Sequence, residues 1–175
     1  MSKTEKKEKE RNRLKGGGGR DHEANGRGDG ARAAGSMKEL IAGLNEDLSW
    51  EFNAVITYRL FASLCSGPWR QELRQFFEAE IPDELGHAMY LADKIVALGG
   101  TPITGPAPVE ITQDNRRMLE IALRAERDTV RRYKERAELA DALGETALKV
   151  RLEDMIVDET HHAEEIDRIL TNWKS

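Results

Sequence analysis

The most constraining feature of the sequence is that its second half repeats the first at a constant offset of 75 residues. Apolar positions coincide at this offset, for example Leu48 with Leu123 and Val55 with Val130. Chemically distinctive residues coincide as well: Glu51 with Glu126, Tyr58 with Tyr133, Glu84 with Glu159, and His87 with His162. We therefore predict one supersecondary unit used twice, with the two copies related by a pseudo-twofold axis.

Each copy contains two amphipathic segments in which apolar residues recur at steps of three, four or seven, the period of an α-helix. Three of the four predicted helices stop at glycine or proline, namely at Gly67-Pro68, Gly99-Gly100 and Gly144. The first helix is predicted to begin at Ser36, because Ser36 and Glu39 have the spacing of a capping box.

The lengths of the connections predict how these helices are arranged. The links within each copy are only a few residues long, so each pair should form an antiparallel hairpin. The link between the copies, GGTPITGPAPVEI, holds three of the five prolines and shows no helical period. It is long enough to run the length of a bundle. The predicted fold class is therefore all-α: a four-helix bundle of two antiparallel hairpins joined by one long crossover.

The N-terminal part of the chain differs in composition from the rest. Residues 1–35 contain little to bury and include a run of four glycines, which is typical of disorder. Up to Ser36 there are ten Lys or Arg residues against six Asp or Glu, whereas the whole chain has a net charge of −5. We predict a disordered, basic, glycine-rich tail at 1–35 and a helical domain at 36–175. The tail is either a solvated extension or an arm for a polyanion such as DNA.

Two observations bear on where the protein works. The only cysteine is Cys65, which excludes an intrachain disulfide and is compatible with a reducing compartment. The chain starts with charged residues instead of the apolar run of a signal peptide, and no segment is apolar enough to span a bilayer. We expect a cytoplasmic protein without a membrane partner.

Acidic residues interrupt the apolar face of all four predicted helices. Two helices carry a single glutamate there, and the other two carry Glu-x-x-His, whose side chains share a face about one turn apart. Four buried carboxylates in one layer repel one another unless they are protonated or neutralised by cations. Two divalent ions would balance them, and neutral imidazoles would complete the shell. The predicted metal ligands are Glu51, Glu84, His87, Glu126, Glu159 and His162.

This donor set also indicates the metal and the role of each ligand. Carboxylate oxygen mixed with imidazole nitrogen suits Fe(II) or Mn(II) better than a thiolate-preferring metal. Glu84 and Glu159 are expected to bridge the two ions. The remaining ligands should bind one ion each, Glu51 with His87 and Glu126 with His162. A single Glu-x-x-His is a weak signal, but two copies at equal spacing from two further core glutamates favour a two-metal site over a misassigned helix face.

At these residues the chain resembles the ferritin-like di-iron superfamily, most of all bacterioferritins and bacterioferritin-like Dps-like proteins. The segments that carry the resemblance are LSWEFNAVITYR, DELGHA, ALRAERDTVRRY and DETHHAEE. It implies a ferroxidase with two iron ions per subunit that oxidises Fe(II) with O2 or H2O2 for iron storage or detoxification. It also implies a homo-oligomer, from a dimer up to a 12-mer or 24-mer. Leu85 stands where bacterioferritins have a haem-binding methionine, so haem is not expected.

Other residues are expected to surround the metal ligands. The resemblance implies that Tyr58 donates an electron or hydrogen-bonds a ligand, although both Tyr58 and Tyr133 could simply be core tyrosines. Asp83 and Asp158 precede the bridging glutamates and could orient the imidazoles, or they could be solvated. Glu80 is expected to form a salt bridge within the bundle or to help iron reach the site.

Two alternative functions stay open at this point. One is a Dps-like DNA-binding protein of stress protection, in which the basic tail contacts phosphates. The other keeps the two-metal site but uses manganese, as in a manganese catalase or another di-metal oxidase.

Overall fold

The structure, a computed structural model, describes residues 23–171 and residue 173. Within these residues it contains four α-helices and no strand: α1 (Glu23–Leu64), α2 (Arg70–Ala97), α3 (Asn115–Ala142) and α4 (Thr146–Thr171). The predicted all-α fold class is thereby confirmed. None of these helices combines the length and apolar character that crossing a membrane requires.

The start of the first helix differs from the prediction. α1 begins at Glu23, so Ser36 lies inside the helix and does not cap its first turn. The glycines before Ser36 are poor helix formers, and this stretch therefore carried no helical signal in the sequence. The chain divides into two units between Gly35 and Ser36. The disorder predicted for residues 1–22 lies outside the described residues.

Glycines end three of the helices as the sequence predicts. Gly67, Gly99 and Gly144 adopt φ values of 74°, 82° and 74°, a left-handed conformation that other residues adopt at a cost. After α3, the backbone N–H of Glu145 donates to Ala140 O at 2.9 Å, which satisfies a carbonyl at the end of the helix. These sharp endings allow the short connections that form the two hairpins, α1 with α2 and α3 with α4.

The segment between α2 and α3 follows the surface of α1, as expected for the long crossover. Side chains of α1 form hydrogen bonds with the backbone of this segment. At the far end of the segment, Asn115 donates to the backbone of Ser66. In order along α1, the contacts are Ile103 N to Asn45 Oδ1 (2.7 Å), Asn53 Nδ2 to Pro108 O (2.7 Å) and Asn115 Nδ2 to Ser66 O (2.7 Å). The chain therefore returns along the bundle before the second hairpin begins.

The buried apolar residues form two separate clusters. One contains Phe61, Phe77, Met118 and Ile166, and the other contains Leu44, Leu91, Ala140 and Leu148. On every helix, the predicted metal ligands lie between residues that belong to one cluster and residues that belong to the other. The bundle thus holds a polar layer between two apolar cores.

Candidate metal centre

The structure brings all six predicted ligands together in this polar layer. Each is at most 6% exposed. They form two groups of four, and in each group the potential ligand atoms lie within 4.8 Å of one another. The groups are Glu51, Glu84, His87 and Glu159, and Glu84, Glu126, Glu159 and His162. Glu84 and Glu159 belong to both groups, which is the arrangement needed for ligands that bridge two ions.

Both histidines direct the same ring nitrogen toward the carboxylates. His87 Nδ1 lies 2.9 Å from Glu159 Oε1 and 3.6 Å from Glu51 Oε2. His162 Nδ1 lies 3.5 Å from Glu159 Oε2 and 3.7 Å from Glu84 Oε1. Nδ1 is therefore the nitrogen that each imidazole offers to a metal, and Nε2 is left for outer contacts.

The outer contacts of the two imidazoles differ. His87 Nε2 lies 3.4 Å from Asp158 Oδ2, so Asp158 can orient this ring across the bundle. His162 Nε2 lies 2.9 Å from Glu80 Oε2 but 3.7 Å from Asp83 Oδ2, which is too far for a hydrogen bond. Glu80 therefore has the position that the sequence suggested for Asp83. Met155 stands at the position equivalent to Glu80 in the second repeat, so this contact breaks the pseudo-symmetry.

The two tyrosines contact glutamates of the opposite repeat. The Tyr58 hydroxyl donates to Glu126 Oε1, and the Tyr133 hydroxyl donates to Glu51 Oε1 at 2.5 Å. Both rings are almost fully buried, at 2% and 0% exposure. The sequence did not indicate which glutamate each tyrosine would contact, because the pairing across repeats follows from the way the hairpins pack. Each tyrosine thereby holds the carboxylate that the two-metal arrangement needs at one end.

Buried polar atoms that make no hydrogen bond of acceptable geometry concentrate at this centre, although some of them lie close to one another. Six of the seven such side-chain atoms among the described residues belong to the predicted ligands: Glu51 Oε2, Glu84 Oε1, His87 Nδ1, both carboxylate oxygens of Glu159, and His162 Nδ1. Leaving a buried charged group without a partner is costly. Because these atoms converge and are chiefly carboxylate oxygens, the donor set fits a pair of divalent cations.

Burial and neighbouring charges shift the pKa values of the carboxylates and imidazoles in this centre. Burial raises the pKa of Glu84 and of Glu126 well above the usual carboxyl range, and the charge of Glu159 raises both further. Burial lowers the pKa of the histidines, but the adjacent carboxylates outweigh it and raise the pKa of His87 to about 10 and that of His162 to about 11. Burial also raises the pKa of Glu159, yet contacts with Glu126 and both histidines lower it below its usual range.

A buried ion cluster beside Glu51 was not predicted from the sequence. Asp47 is 0% exposed, and its carboxylate lies 2.8 Å from Arg136 Nε and 3.5 Å from Arg132 Nε. A Cβ atom added at Gly43 would lie 2.1 Å from the Arg136 guanidinium, so this glycine makes room for the cluster. The signal in the sequence is the spacing of four between Arg132 and Arg136, but such spacing is equally typical of a solvated helix face.

Comparisons with known proteins agree with this geometry. A family model described as a ferritin-like domain matches residues 41–175. A bacterioferritin of Brucella melitensis biotype 1 is 30% identical over 125 residues, which cover 71% of this chain and 78% of that protein. A solved ferritin-like, diiron-carboxylate protein from Bacillus anthracis str. Ames is 55% identical, with a TM-score of 0.76, and covers 77% of this chain and 97% of its own.

A second solved structure is more distant. It is a dodecameric thioferritin from Bacteroides fragilis, described as a bacterioferritin-related protein, with 25% identity and a TM-score of 0.71. The match covers 78% of this chain and 86% of that one. The family model, the bacterioferritin relative and the two-hairpin bundle all lead to the same conclusion: this chain belongs to the ferritin-like domain family.

Proposed function

We propose that the protein is a ferroxidase that binds two Fe(II) ions per chain at this centre and oxidises them to Fe(III) for iron storage or detoxification. The observation that carries the proposal is the pair of four-residue groups that share Glu84 and Glu159. Two Fe(II) ions supply two electrons. With two protons these convert one O2 to H2O2, or one H2O2 to two water molecules.

Charge balance supports the proposed ligand roles. The four glutamates carry four negative charges when ionised, which two divalent ions neutralise, and the imidazoles add donors without adding charge. Glu84 and Glu159 would bridge the ions, since each belongs to both groups. Glu51 with His87 would hold one ion and Glu126 with His162 the other.

The residues around the ligands have supporting roles in this proposal. Tyr58 and Tyr133 fix the carboxylates of Glu126 and Glu51 by hydrogen bonding. Asp158 and Glu80 contact the outer nitrogens of the imidazoles, which would keep each Nδ1 directed at a metal. Electron donation by Tyr58 remains a prediction from the family resemblance.

The nature of the metal and the absence of haem are also proposals. The same donors suit Mn(II), so a manganese catalase or another di-metal oxidase remains an alternative, and the metal content of protein purified without added metal separates the two. The haem expectation concerns Leu85, which is 46% exposed on α2. A haem-free visible spectrum is expected for the purified protein.

The DNA-binding alternative depends on the basic tail. Residues 1–22 lie outside the described residues, so this alternative stays a prediction. Deleting residues 1–35 should abolish salt-sensitive retardation of DNA in a gel. If the full-length protein causes no retardation, the DNA-binding hypothesis is wrong.

The proposed activity is tested by removing a shared ligand. In Glu84→Ala, both groups lose a carboxylate, and rapid oxidation of Fe(II) in stopped-flow measurements should disappear. Glu153→Ala removes an exposed acid from α4 and serves as the matched control, with oxidation at the wild-type rate. Oxidation that is equally fast in Glu84→Ala and in the wild type would exclude this centre as the site of reaction.

A further inference from the structure

A pocket lies between α1 and α3, on one side of the candidate metal centre. Its empty volume, including the open mouth, is about 620 Å³. Two of the residues that line it belong to the centre: the ligand Glu126, and Tyr58, which donates a hydrogen bond to it. Both are nearly inaccessible to solvent, at 3% and 2% exposure. The pocket therefore extends from the surface to buried residues of one half of the centre.

The equivalent space beside the other half is filled. At the 75-residue offset, Ala122 in the wall of the pocket corresponds to Asp47. Asp47 is completely buried and bound to Arg136 and Arg132. Where one repeat leaves space next to Glu126, the other repeat packs an ion cluster next to Glu51. The two halves thus have the same ligands but different surroundings.

The lining of the pocket favours a small apolar molecule over a cation. Its walls include the apolar side chains of Trp50, Ala54, Ile121, Ala122 and Ala125, together with the neutral polar residues Asn53 and Thr57. Apart from the ligand Glu126, the charged residues of the lining are paired with opposite charges. Arg124 lies 2.6 Å from Glu110, and Asp128 lies 3.1 Å from Arg131.

Arg132, the remaining cation of the lining, is also engaged. Its guanidinium lies 5.0 Å from the centre of the Trp50 ring and donates to Thr129 Oγ1 at 2.8 Å. The acid that contacts His162 is on α2, away from this pocket: Glu80 is absent from the lining. Apart from Glu126 at its inner end, the pocket offers a hydrated cation little uncompensated negative charge.

We propose that this pocket is the binding site and access route for dioxygen, which reaches the metal centre at its Glu126 side. The inference rests on the proposed ferroxidase function and adds to it a separate path for the oxidant. Dioxygen is small, neutral and apolar, so it gains from an apolar pocket that offers a hydrated ion no compensation. Xenon occupies apolar cavities of this kind and is a suitable probe.

The first experiment uses crystals of the full-length protein pressurised with xenon. Xenon density is expected between α1 and α3, next to Ala54, Ile121 and Ala125. This measurement requires neither iron nor turnover. A pocket without xenon, under conditions that load a reference protein with a known xenon site, would overturn the proposal.

The second experiment fills the pocket with Ala125→Phe. The equivalent position in the first repeat is Trp50, so a large ring is already accommodated at this register of the helix. Anaerobic titration with Co(II) should still reach two ions per chain. The rate of Fe(II) oxidation by dioxygen should fall by about tenfold or more, and the xenon density should be lost. Ala142→Phe, at an exposed position at the end of α3, is the control and should behave as the wild type.

The outcomes separate the two proposals. If the wild type fails to bind two ions or to oxidise Fe(II), the ferroxidase proposal itself is wrong. If the wild type does both and Ala125→Phe oxidises Fe(II) at the same rate at every dioxygen concentration, only the pocket proposal is overturned.

Discussion

Glu84 and Glu159 are the residues whose burial is hardest to explain without a bound cation. Their side chains are 2% and 0% exposed, and several of their oxygens make no hydrogen bond of acceptable geometry. Apolar residues of similar size would stabilise the bundle better, because a buried carboxylate loses its hydration. Metal binding explains why the chain keeps these destabilising carboxylates. Such a trade-off between stability and function is common at active sites.

This trade-off predicts that Glu84→Gln stabilises the metal-free protein. Burial and neighbouring charges raise the pKa of Glu84 above its usual value of 4.5. The contribution of Glu84 to the free energy of unfolding therefore falls as pH rises above 4.5. A neutral glutamine at this position causes no such decrease. At pH 7 the variant should gain roughly 1–3 kcal/mol in free energy of unfolding, and the gain should vanish near pH 4. Urea unfolding with a chelator present measures both values, and an unchanged stability at pH 7 would contradict the account.

The protonated state of the metal-free centre predicts that metal binding releases protons. The pKa of His87 is raised to about 10 and that of His162 to about 11, so both imidazoles are protonated at pH 7 until a metal displaces the proton. Affinity should therefore fall as pH falls. Calorimetric titration with Co(II) in two buffers of different ionisation enthalpy should give different apparent enthalpies. Identical enthalpies in the two buffers would show that no protons are released.

At the scale of the helices, much of the architecture could be predicted from the sequence. The two hairpins, the long crossover and the glycine endings at Gly67, Gly99 and Gly144 follow from local periodicity and turn chemistry, and the structure confirms them. The start of α1 was predicted wrongly, because glycine-rich sequence and a good capping box both pointed to Ser36. Local signals alone therefore did not locate the start of this helix.

The surroundings of the candidate site were less predictable than the ligands. The 75-residue offset identifies equivalent residues, but it says nothing about which side chains meet across the bundle. The pairing of Tyr58 with Glu126, and the contact of Glu80 with His162, depend on how the hairpins pack. The buried pair of Asp47 and Arg136 looks like surface charge in the sequence, because only packing shows that α1 and α3 cover it.

The buried cluster of Asp47 and Arg136 predicts that alanine at Gly43 lowers stability, whereas alanine at a helical glycine away from the cluster raises it. Gly43→Ala places a Cβ against the guanidinium of Arg136, whose displacement would leave Asp47 without its closest partner. The variant should lose about 2 kcal/mol or more in free energy of unfolding, despite the better helix propensity of alanine. Gly86→Ala on α2 meets nothing within 4 Å and is the control, with an expected gain of about 0.5–1 kcal/mol. A stabilising Gly43→Ala would show that Arg136 moves away at no cost.

At the scale of the whole molecule, we expect a homo-oligomer. Leu85 and Met89 lie one turn apart on α2 and are 46% and 64% exposed, an arrangement that favours contact with a second copy. Light scattering should give a mass of at least twice the 19.7 kDa of a single chain. Met89→Lys should lower it, whereas a wild-type mass of 19.7 kDa would exclude a stable oligomer.

The central claim is that two equivalent ligand sets, joined by Glu84 and Glu159, form one centre for two iron ions. Anaerobic titration of the metal-free, full-length protein with Fe(II), followed by exposure to dioxygen, tests it most directly. We expect saturation at two ions per chain and rapid oxidation of both. Saturation at one ion, no binding, or bound Fe(II) that reacts no faster than free Fe(II) in the same buffer would contradict it.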